Sequence, residues 1–465
     1  MAETDPADLG LVEAARQLRD RSLSSLELVE ACLRRIAERD GTHTHEGDPA
    51  SINAWVRVYE EDAVAAARAA DGVPADERGP LHGVPIGLKD LYAVAGKPLT
   101  ASSTAYEEMP KRDSDVWAAL KAAGMILLGH THTHEFAVGG TTDQVGNPWD
   151  LGRTAGGSSG GSAAALAARM TPAATGSDTA GSLRIPSALS GTSTIKPTYG
   201  TTSFRGVVPL APSFDHAGPM ARTLSDVAAL LARLSRLGGS PGAGLEGRRL
   251  AVSPRVETVE LDDDVAEGFE RAMEACRALG AEIVPIAPPD VELDVGRDYL
   301  SILFAELAAW HRRLAHRREH YRPALREWVE QGEAQGTSAI DYWTAQIHRR
   351  DDATAWVRWF ADQRIDALIE PTVPVVAWER GDGYDHWGTD AMLISLTSYW
   401  NWTGLPAVAL PSAVGSSTGL PVGASLIGPE GSDWELLGLG IALQAELGVP
   451  ECPAAPPAEA ARPST

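Results

Sequence analysis

The N-terminal part of the chain has the apolar spacing of helices. Apolar residues recur every three or four positions within residues 8–40, and this period predicts helix. Ser24 and Glu27 stand three positions apart before an apolar run, which is the capping-box pattern of a helix start. Residues 41–52 are polar and predict a loop, whereas the Ala-rich residues 59–72 predict a further helix.

The stretch between residues 79 and 218 has a different texture. It is dense in Gly, Ser, Thr and Pro, and its apolar residues come in short runs such as Val84–Leu88 and Met125–Leu128. Short runs between turn-forming residues are typical of strands and tight loops around a site. Too many of the residues are apolar for a linker, so this stretch is predicted to belong to the folded core.

Beyond residue 218 the pattern alternates between helix and strand. Helical periodicity covers 222–237, 265–279, 299–363 and 434–447, and short apolar runs cover 249–253, 282–286, 366–369, 405–410 and 422–427. This alternation favours a sheet covered by helices and therefore the α/β class. The Pro- and Ala-rich residues 451–465 are predicted to form a disordered tail.

Composition narrows the class of protein. Of the 465 residues 44% are apolar, so the chain can bury a large core and intrinsic disorder is excluded. Forty basic against sixty-three acidic residues leave a net charge of −23, which argues against nucleic acid or an anionic membrane as a partner. No apolar run has the length of a membrane span or the pattern of a signal peptide. The three cysteines are scattered and predict neither disulfides nor a metal cluster. We therefore expect a cytoplasmic protein. Only five of the basic residues are lysine, which unlike arginine can lose its proton when buried.

Three motifs have weak support. Gly242–Gly247 matches the G-x-G-x-x-G dinucleotide pattern, but it follows a helix and precedes a strand, the reverse of what that motif requires. The G-x-S-x-G pattern occurs around Ser159 and around Ser417, and neither copy follows a clear strand. The run His130–His134 would place three imidazoles on one face of a strand, which makes it a zinc candidate, although a polar strand end is the simpler interpretation.

The strongest chemical signal is a pair of Gly/Ser loops together with one lysine. The loops are Gly156–Ser162, ahead of an Ala-rich helix, and Gly176–Pro186. Small residues before Ser182 let backbone N–H groups face a ligand oxygen, as an oxyanion hole requires. A serine hydroxyl is a weak nucleophile without a base, and Lys89 closes an apolar run where burial would depress its pKa. Alone, each loop would be structural, and a lysine at a strand end commonly pairs with a neighbour such as Asp90.

These loops and motifs make the sequence similar to the amidase signature family over most of its length. The resemblance is carried, in chain order, by Gly79-Pro-Leu-His-Gly-Val-Pro-Ile-Gly-Leu-Lys-Asp90, Gly129–Gly139, Asn147-Pro-Trp-Asp150, the two serine loops, Ser213-Phe-Asp-His-Ala-Gly-Pro-Met-Ala-Arg222, Asn401-Trp-Thr-Gly-Leu-Pro406 and Leu420-Pro-Val-Gly423. Chance does not explain agreement at so many ordered points. The resemblance implies an α/β fold with a large mixed, twisted central sheet covered by helices on both faces.

The resemblance also implies which residues act. By motif position the nucleophile is Ser182, the bridging serine after a cis peptide bond is Ser158, and the base is Lys89, with no metal or cofactor. Neutral Lys89 would take the proton of Ser158 while Ser158 takes that of Ser182, and water would later release the acyl group from Ser182. The backbone N–H groups of Thr179, Ala180, Gly181 and Ser182 would form the oxyanion hole, with Ser159, Asp178 and Arg184 as supporting residues.

Three departures from the family pattern bear on the substrate. Ala180 stands where the family commonly has glycine, so its methyl group is expected to narrow the approach to the oxyanion hole. The loop between Glu135 and Asn147 is several residues shorter than usual, which is expected to open the mouth of the site. The family's Gly-Lys-Thr-Asn stretch reads Gly-His130-Thr-His132 here.

The expected organisation is a single domain over residues 1–450. Its core is expected at about 75–225 and 400–430. The segment at about 290–400 is expected to shape the substrate pocket. Nine tryptophans lie between residues 310 and 402, and most are expected to serve packing, with a few lining an apolar or aromatic pocket.

The expected function is hydrolysis of C–N bonds in small or aryl amides. Carbamate hydrolysis by the same triad is one alternative, because both reactions pass through a tetrahedral oxyanion. A glutamine amidotransferase subunit that releases ammonia for a partner is another, which the charge of −23 disfavours because such a subunit serves tRNA. A non-catalytic scaffold is disfavoured by the joint presence of Lys89, Ser158 and Ser182. A homodimer is compatible with the resemblance, but the sequence shows no interface signature.

Overall fold

A mixed sheet of 11 strands lies at the centre of the computed structural model, which describes residues 5–381 and 394–453. In spatial order its strands are β1 (Trp55–Val58), β3 (Ile126–Thr131), β2 (Pro85–Lys89), β6 (Ala173–Asp178), β8 (His216–Ala221), β7 (Ser193–Lys196), β12 (Ala407–Val414), β13 (Pro421–Ile427), β11 (Ala367–Pro371), β9 (Arg249–Val252) and β10 (Glu282–Val284). The strands β3, β2 and β6 run parallel, as do β11, β9 and β10, and the remaining pairs are antiparallel. A separate antiparallel pair consists of β4 (Gly146–Asn147) and β5 (Asp150–Thr154).

Helices pack on both faces of the sheet. They are α1 (Leu11–Asp20), α2 (Ser25–Arg39), α3 (Glu60–Asp71), α4 (Asp115–Ala122), α5 (Gly160–Ala167), α6 (Arg184–Ser190), α7 (Leu224–Leu234), α8 (Asp263–Ala278), α9 (Gly296–His311), α10 (Pro323–Gln335), α11 (Ala339–Gln363), α12 (Tyr399–Trp402) and α13 (Asp433–Leu447). Successive residues of one strand point to opposite faces: Leu426 packs with α7, α8 and α13, whereas Ile427 belongs to the larger core. The expected α/β fold with helices on both faces is confirmed.

The N-terminal helical region is interrupted just before the helix start that the capping box at Ser24 predicts. Arg21 has a left-handed backbone (φ 58°) that ends α1, although this conformation favours glycine. The expected capping box then begins α2. Ser24 Oγ accepts from the N–H of Glu27 (3.1 Å), and the Glu27 carboxylate accepts from the N–H of Ser24 (2.8 Å).

The region 299–363, predicted as one helical stretch, contains three helices, α9, α10 and α11. The tryptophans between residues 310 and 402 divide as expected for a packing role: Trp356, Trp400 and Trp402 are fully buried, and Trp343 is exposed. Residues 382–393 of the segment expected to shape the pocket and residues 454–465 of the predicted tail lie outside the described residues.

Among residues 5–381 and 394–453, the helices are all too short or too polar to cross a membrane.

Two neighbouring strands position the loops that carry the serines. β2 and β6 are adjacent and parallel, so their carboxyl ends, at Lys89 and Asp178, emerge at the same edge of the sheet. The loop after β6 leads directly into α6. In open α/β sheets this edge is where ligands bind.

Candidate active site

Lys89 is the last residue of β2 and the centre of the site. It is fully buried, and its Nζ lies within hydrogen-bond distance of three hydroxyl oxygens. These are Oγ of Ser158 (2.7 Å), Ser159 (2.9 Å) and Ser177 (2.9 Å). The first two serines come from the loop before α5 and the third from β6. The fold thus brings together a lysine and a serine loop that are about 70 residues apart in the chain.

The surroundings of Lys89 determine its charge. Burial lowers the pKa of Lys89 well below its ordinary value, against the Coulomb attraction of Asp178 and Asp215. The carboxylate of Asp90, the next residue, accepts instead from the N–H of Ser102 (2.9 Å). A neutral amine has a lone pair, so Lys89 can accept a proton as a general base must.

Ser158 and Ser159 make different contacts around Lys89. The Ser159 hydroxyl donates to the Ser177 carbonyl (3.3 Å), so it meets Lys89 as an acceptor. The Ser158 hydroxyl makes the shortest of the three contacts to Lys89 Nζ, at 2.7 Å. The peptide bond between Gly157 and Ser158 is cis, as the resemblance implies.

Ser182 lies on the loop that joins β6 to α6. Ser182 borders a cavity of about 380 Å³ and is 5% exposed, whereas Lys89 is fully buried. The N–H of Ser159 donates to the Ser182 carbonyl (3.3 Å), so the two serine loops are in direct contact. The arrangement places a hydroxyl at the cavity and a lysine amine deeper in the protein, with Ser158 on the neighbouring loop.

A buried ion pair supports the Ser182 loop. Two nitrogens of Arg184 donate to the two carboxylate oxygens of Asp178 at 3.0 Å each, and both side chains are fully buried. Burial raises the pKa of Asp178, but Arg184 outweighs it and holds this pKa below its usual range. Arg184 also donates to the carbonyl of Thr397 (3.0 Å) and to Oδ1 of Asn401 (2.7 Å). The pair therefore connects the loop to the residues that precede β12.

Hydrogen bonds to the carbonyl groups of the Ser182 loop fix its peptide planes. The carbonyl of Asp178 accepts from Asn401 Nδ2 (3.0 Å), and the carbonyl of Thr179 accepts from the Tyr299 hydroxyl (2.7 Å). The next two carbonyls, of Ala180 and Gly181, accept from the Thr397 hydroxyl and from the N–H of Ile185 (2.7 Å) respectively. A trans peptide is planar, so its N–H points away from its own C=O. These bonds therefore also set the directions of the next N–H groups along the loop.

The structure differs from the expected oxyanion hole at Gly181. Its N–H donates to the Asp178 carboxylate (2.7 Å), so this group is occupied within the loop. Gly181 has a φ of +136°, and a Cβ there would lie 2.3 Å from Thr397 Oγ1, which explains the need for glycine. The candidate hole is thereby reduced to three residues that border the cavity: Thr179, Ala180 and Ser182.

The wall of the cavity is mostly apolar and comes largely from the segment expected to shape the pocket. Its apolar lining includes Leu300 and Leu303 of α9, Trp328 of α10, and Leu293 and Ile394, and two charged residues, Arg255 and Asp294, also border it. Such a surface suits an alkyl or aryl group better than a charged one.

Several residues of the site were not singled out from the sequence. Ser177 precedes Asp178 on β6, and its position within the Gly/Ser loop was the only available signal. Tyr299 and Thr397 contact the Ser182 loop from the segment at about 290–400, where no motif marks them. Asp215, which accepts from Thr179 Oγ1 (2.6 Å), lies in a motif of the resemblance but had no assigned role.

The run His130–His134 is better explained as a polar strand end than as a zinc site. His130 Nδ1 lies 2.8 Å from the Tyr59 hydroxyl, and His132 Nδ1 lies 3.1 Å from the Ser102 hydroxyl. Within the described parts of the chain, no group of three His, Cys, Asp or Glu side chains is arranged to hold a metal ion. Burial lowers the pKa of all three imidazoles of the run.

Comparison with known proteins finds relatives over nearly the whole chain. A family model described as "Amidase" matches residues 27–437. An amidase of Pseudomonas putida is 37% identical over 427 residues, which cover 87% of this chain and 89% of that protein. A glutamyl-tRNA(Gln) amidotransferase subunit of Ralstonia nicotianae is 33% identical over 488 residues, with coverage of 92% and 95%. A crystal structure of an amidase has a TM-score of 0.82 at 32% identity and covers 95% of this chain and 100% of its own.

The Asp178 ion pair generates a prediction about stability. Arg184→Met leaves the Asp178 carboxylate buried and unpaired, and we expect the free energy of unfolding to fall by about 3–5 kcal/mol. Urea denaturation followed by circular dichroism measures this change. Arg205→Met is the matched control: Arg205 pairs with Asp115 at the surface, where solvent screens the charges, so the stability should hardly change. Equal stability of the two variants would contradict the supporting role of Arg184.

Proposed function

This chain belongs to the amidase family and is a hydrolase of carbon–nitrogen bonds, and from that premise we propose that Ser182 is its nucleophile, Ser158 its proton relay and Lys89 its base. The observation that carries this assignment is the buried Lys89 amine, whose pKa burial lowers well below its ordinary value, 2.7 Å from the Ser158 hydroxyl. The adjoining loop presents Ser182 to the cavity. Attack by a serine hydroxyl requires a base that removes its proton, and in this proposal Ser158 relays that proton from Ser182 to Lys89.

The reaction begins with transfer of two protons. The Lys89 lone pair takes the proton of Ser158 while Ser158 takes that of Ser182, and Ser182 Oγ forms a bond to the substrate carbonyl carbon. The carbonyl oxygen becomes an oxyanion, which accepts hydrogen bonds from the N–H groups of Thr179, Ala180 and Ser182. These donors need no reorganisation, because hydrogen bonds to the neighbouring carbonyls already hold the loop.

Collapse of the tetrahedral intermediate releases the amine. The proton held by Lys89 returns through Ser158 to the leaving nitrogen, and the C–N bond breaks to leave an acyl ester on Ser182. Water then attacks the ester while its proton passes through Ser158 to Lys89, and the return of that proton to Ser182 Oγ frees the carboxylic acid. Each of these steps uses groups of this chain only, so the proposed chemistry calls for no metal or cofactor.

The cavity indicates the class of substrate. We propose amides whose acyl group is small or aryl, because leucines and Trp328 form the wall near Ser182. Carbamates would react through the same oxyanion, so the triad does not separate the two substrates. Turnover of a benzanilide and of the phenylcarbamate with the same aryl amine distinguishes them, and faster hydrolysis of the carbamate would replace the amide in this proposal.

A second candidate is a glutamine amidotransferase subunit. It is favoured by the relatives named as subunits of glutamyl-tRNA(Gln) amidotransferase, which match more than nine-tenths of this chain at 33–34% identity. In that case the chain would release ammonia from glutamine for a partner protein. Affinity purification from its native cell followed by a glutaminase assay tests this candidate. A co-purifying partner that stimulates glutaminase activity would favour it over the free-standing amidase.

The nucleophile assignment leads to a direct prediction. Ser182→Ala should lower kcat for an aryl amide by about 10⁴-fold or more, because no acyl-enzyme can form. Thermal denaturation should show an unchanged fold. Ser417→Ala is the matched control, since Ser417 stands in the second G-x-S-x-G pattern on a loop that contacts Asp264 and should retain full activity. Substantial turnover by Ser182→Ala would refute the mechanism.

The base assignment predicts a pH profile. Lys89 accepts a proton only when neutral, so kcat/KM should fall by about tenfold per pH unit below the lowered pKa of Lys89 and level off above it. Lys89→Arg should be inactive at every pH, whereas the exposed Lys121→Arg should match the wild type.

Protonation of a nearby carboxyl group is a competing explanation for a loss of activity at low pH, which is the acid limb of the profile. Burial raises the pKa of Asp215 to about 6, and this residue holds Thr179. Asp215→Asn should therefore be slower but keep the acid limb if Lys89 is responsible. Loss of the acid limb in Asp215→Asn would contradict a lysine base.

A further inference from the structure

Tyr299 joins the substrate cavity to the Ser182 loop. It lies on α9, borders the cavity, and is nearly fully buried. Its ring stacks on Phe214 with centroids 4.3 Å apart and planes 5° from parallel. Its hydroxyl donates to the carbonyl of Thr179 (2.7 Å). A side chain from outside the serine loops therefore holds a backbone group within the candidate oxyanion hole.

The bond from Tyr299 controls one peptide plane. The C=O of Thr179 and the N–H of Ala180 belong to the same planar unit and point in opposite directions. Fixing that carbonyl therefore fixes the direction of the Ala180 N–H. Thr179 is also held by its side chain, which donates to Asp215 (2.6 Å), so the peptide is anchored on both sides.

The phenol is suited to act as a permanent donor. Burial, together with the negative charges of Asp178 and Asp215, raises the pKa of Tyr299 well above its ordinary value. The hydroxyl therefore keeps its proton over the pH range in which the enzyme works. The stacking on Phe214 restricts rotation of the ring and keeps that hydroxyl directed at Thr179.

We propose that Tyr299 is a positioning residue for the oxyanion hole and that it couples the hole to the acyl pocket, an inference that rests on the proposed function. Leu300 and Leu303 border the cavity from the same helix, so an acyl group that fills the cavity packs against the element that orients the Ala180 N–H. Tyr299 contacts the Thr179 carbonyl rather than the reacting atoms. Its effect is therefore to place a donor where negative charge develops in the transition state.

Tyr299→Phe tests the proposal, because it removes the hydroxyl and keeps the ring that stacks on Phe214. We expect kcat for an aryl amide to fall by about tenfold while KM stays within about twofold, since the lost support matters mainly when the oxyanion forms. Phenylboronic acid, which forms a tetrahedral adduct on a serine nucleophile, should inhibit the variant about tenfold more weakly. Benzoate, which forms no adduct, should bind both proteins equally.

Two control variants make the result interpretable. Tyr342→Phe is the same chemical change in the same segment, at a hydroxyl that donates to Glu306 (2.7 Å), and should keep wild-type kcat and boronate affinity. Ser182→Ala separates the two hypotheses: if it remains active the proposed function fails, whatever Tyr299 does. If Ser182→Ala is inactive but Tyr299→Phe keeps wild-type kcat, or raises KM alone, Tyr299 is only part of the cavity wall and the inference is overturned.

Discussion

A lysine amine sealed from water among hydroxyl groups is the constraint on which the rest of this structure depends. A charged ammonium at that depth would pay a large desolvation cost, so burial lowers the pKa of Lys89 well below its ordinary value and favours the neutral amine. Keeping Lys89 there requires a strand buried along its whole length, and β2 is buried from Pro85 to Lys89. It also requires serine loops that approach very closely. A Cβ at Gly157 would lie 2.0 Å from the Thr141 carbonyl oxygen, so the glycines of that loop follow from close backbone packing.

The second organising interaction is the buried pair of Asp178 and Arg184. A buried ion pair adds little net stability compared with an apolar contact, but it has direction. The two carboxylate oxygens of Asp178 are shared between Arg184 and backbone N–H groups of the turn, and Arg184 continues to Thr397 and Asn401. The turn that carries Ser182 is consequently held by parts of the chain more than 200 residues away. The strands of the core and the segment that forms the pocket meet at this pair.

Periodicity predicted most helices and strands because burial imposes it. Strand β11 and helix α8 lie within a few residues of their predicted bounds. A strand in a sheet either alternates buried and exposed side chains or buries them all, and a helix on a sheet buries one face, so both leave a regular apolar pattern. The capping box at Ser24 predicted where α2 begins, but nothing in the local sequence marks Arg21 as the left-handed residue that ends α1. The oxyanion hole was predicted from the small residues before Ser182, and its four members came from the resemblance to the amidase signature family. Small residues allow a carbonyl and an N–H to turn either way, and only the Asp178 carboxylate decides that the Gly181 N–H turns inward.

The sequence by itself determined the α/β class, the serine loops and the lysine that faces them. These features are local: a Gly/Ser run, and an apolar strand that ends in one of only five lysines, are visible in any window that contains them. The tertiary structure alone decided that Ser177 completes the surroundings of Lys89 and that Tyr299 and Thr397 hold the Ser182 loop. These contacts join residues far apart in the chain, and a tyrosine on a helix has the same local signature whether it packs in a core or holds a catalytic loop. Their partners are set by how the segments pack, which no local pattern encodes.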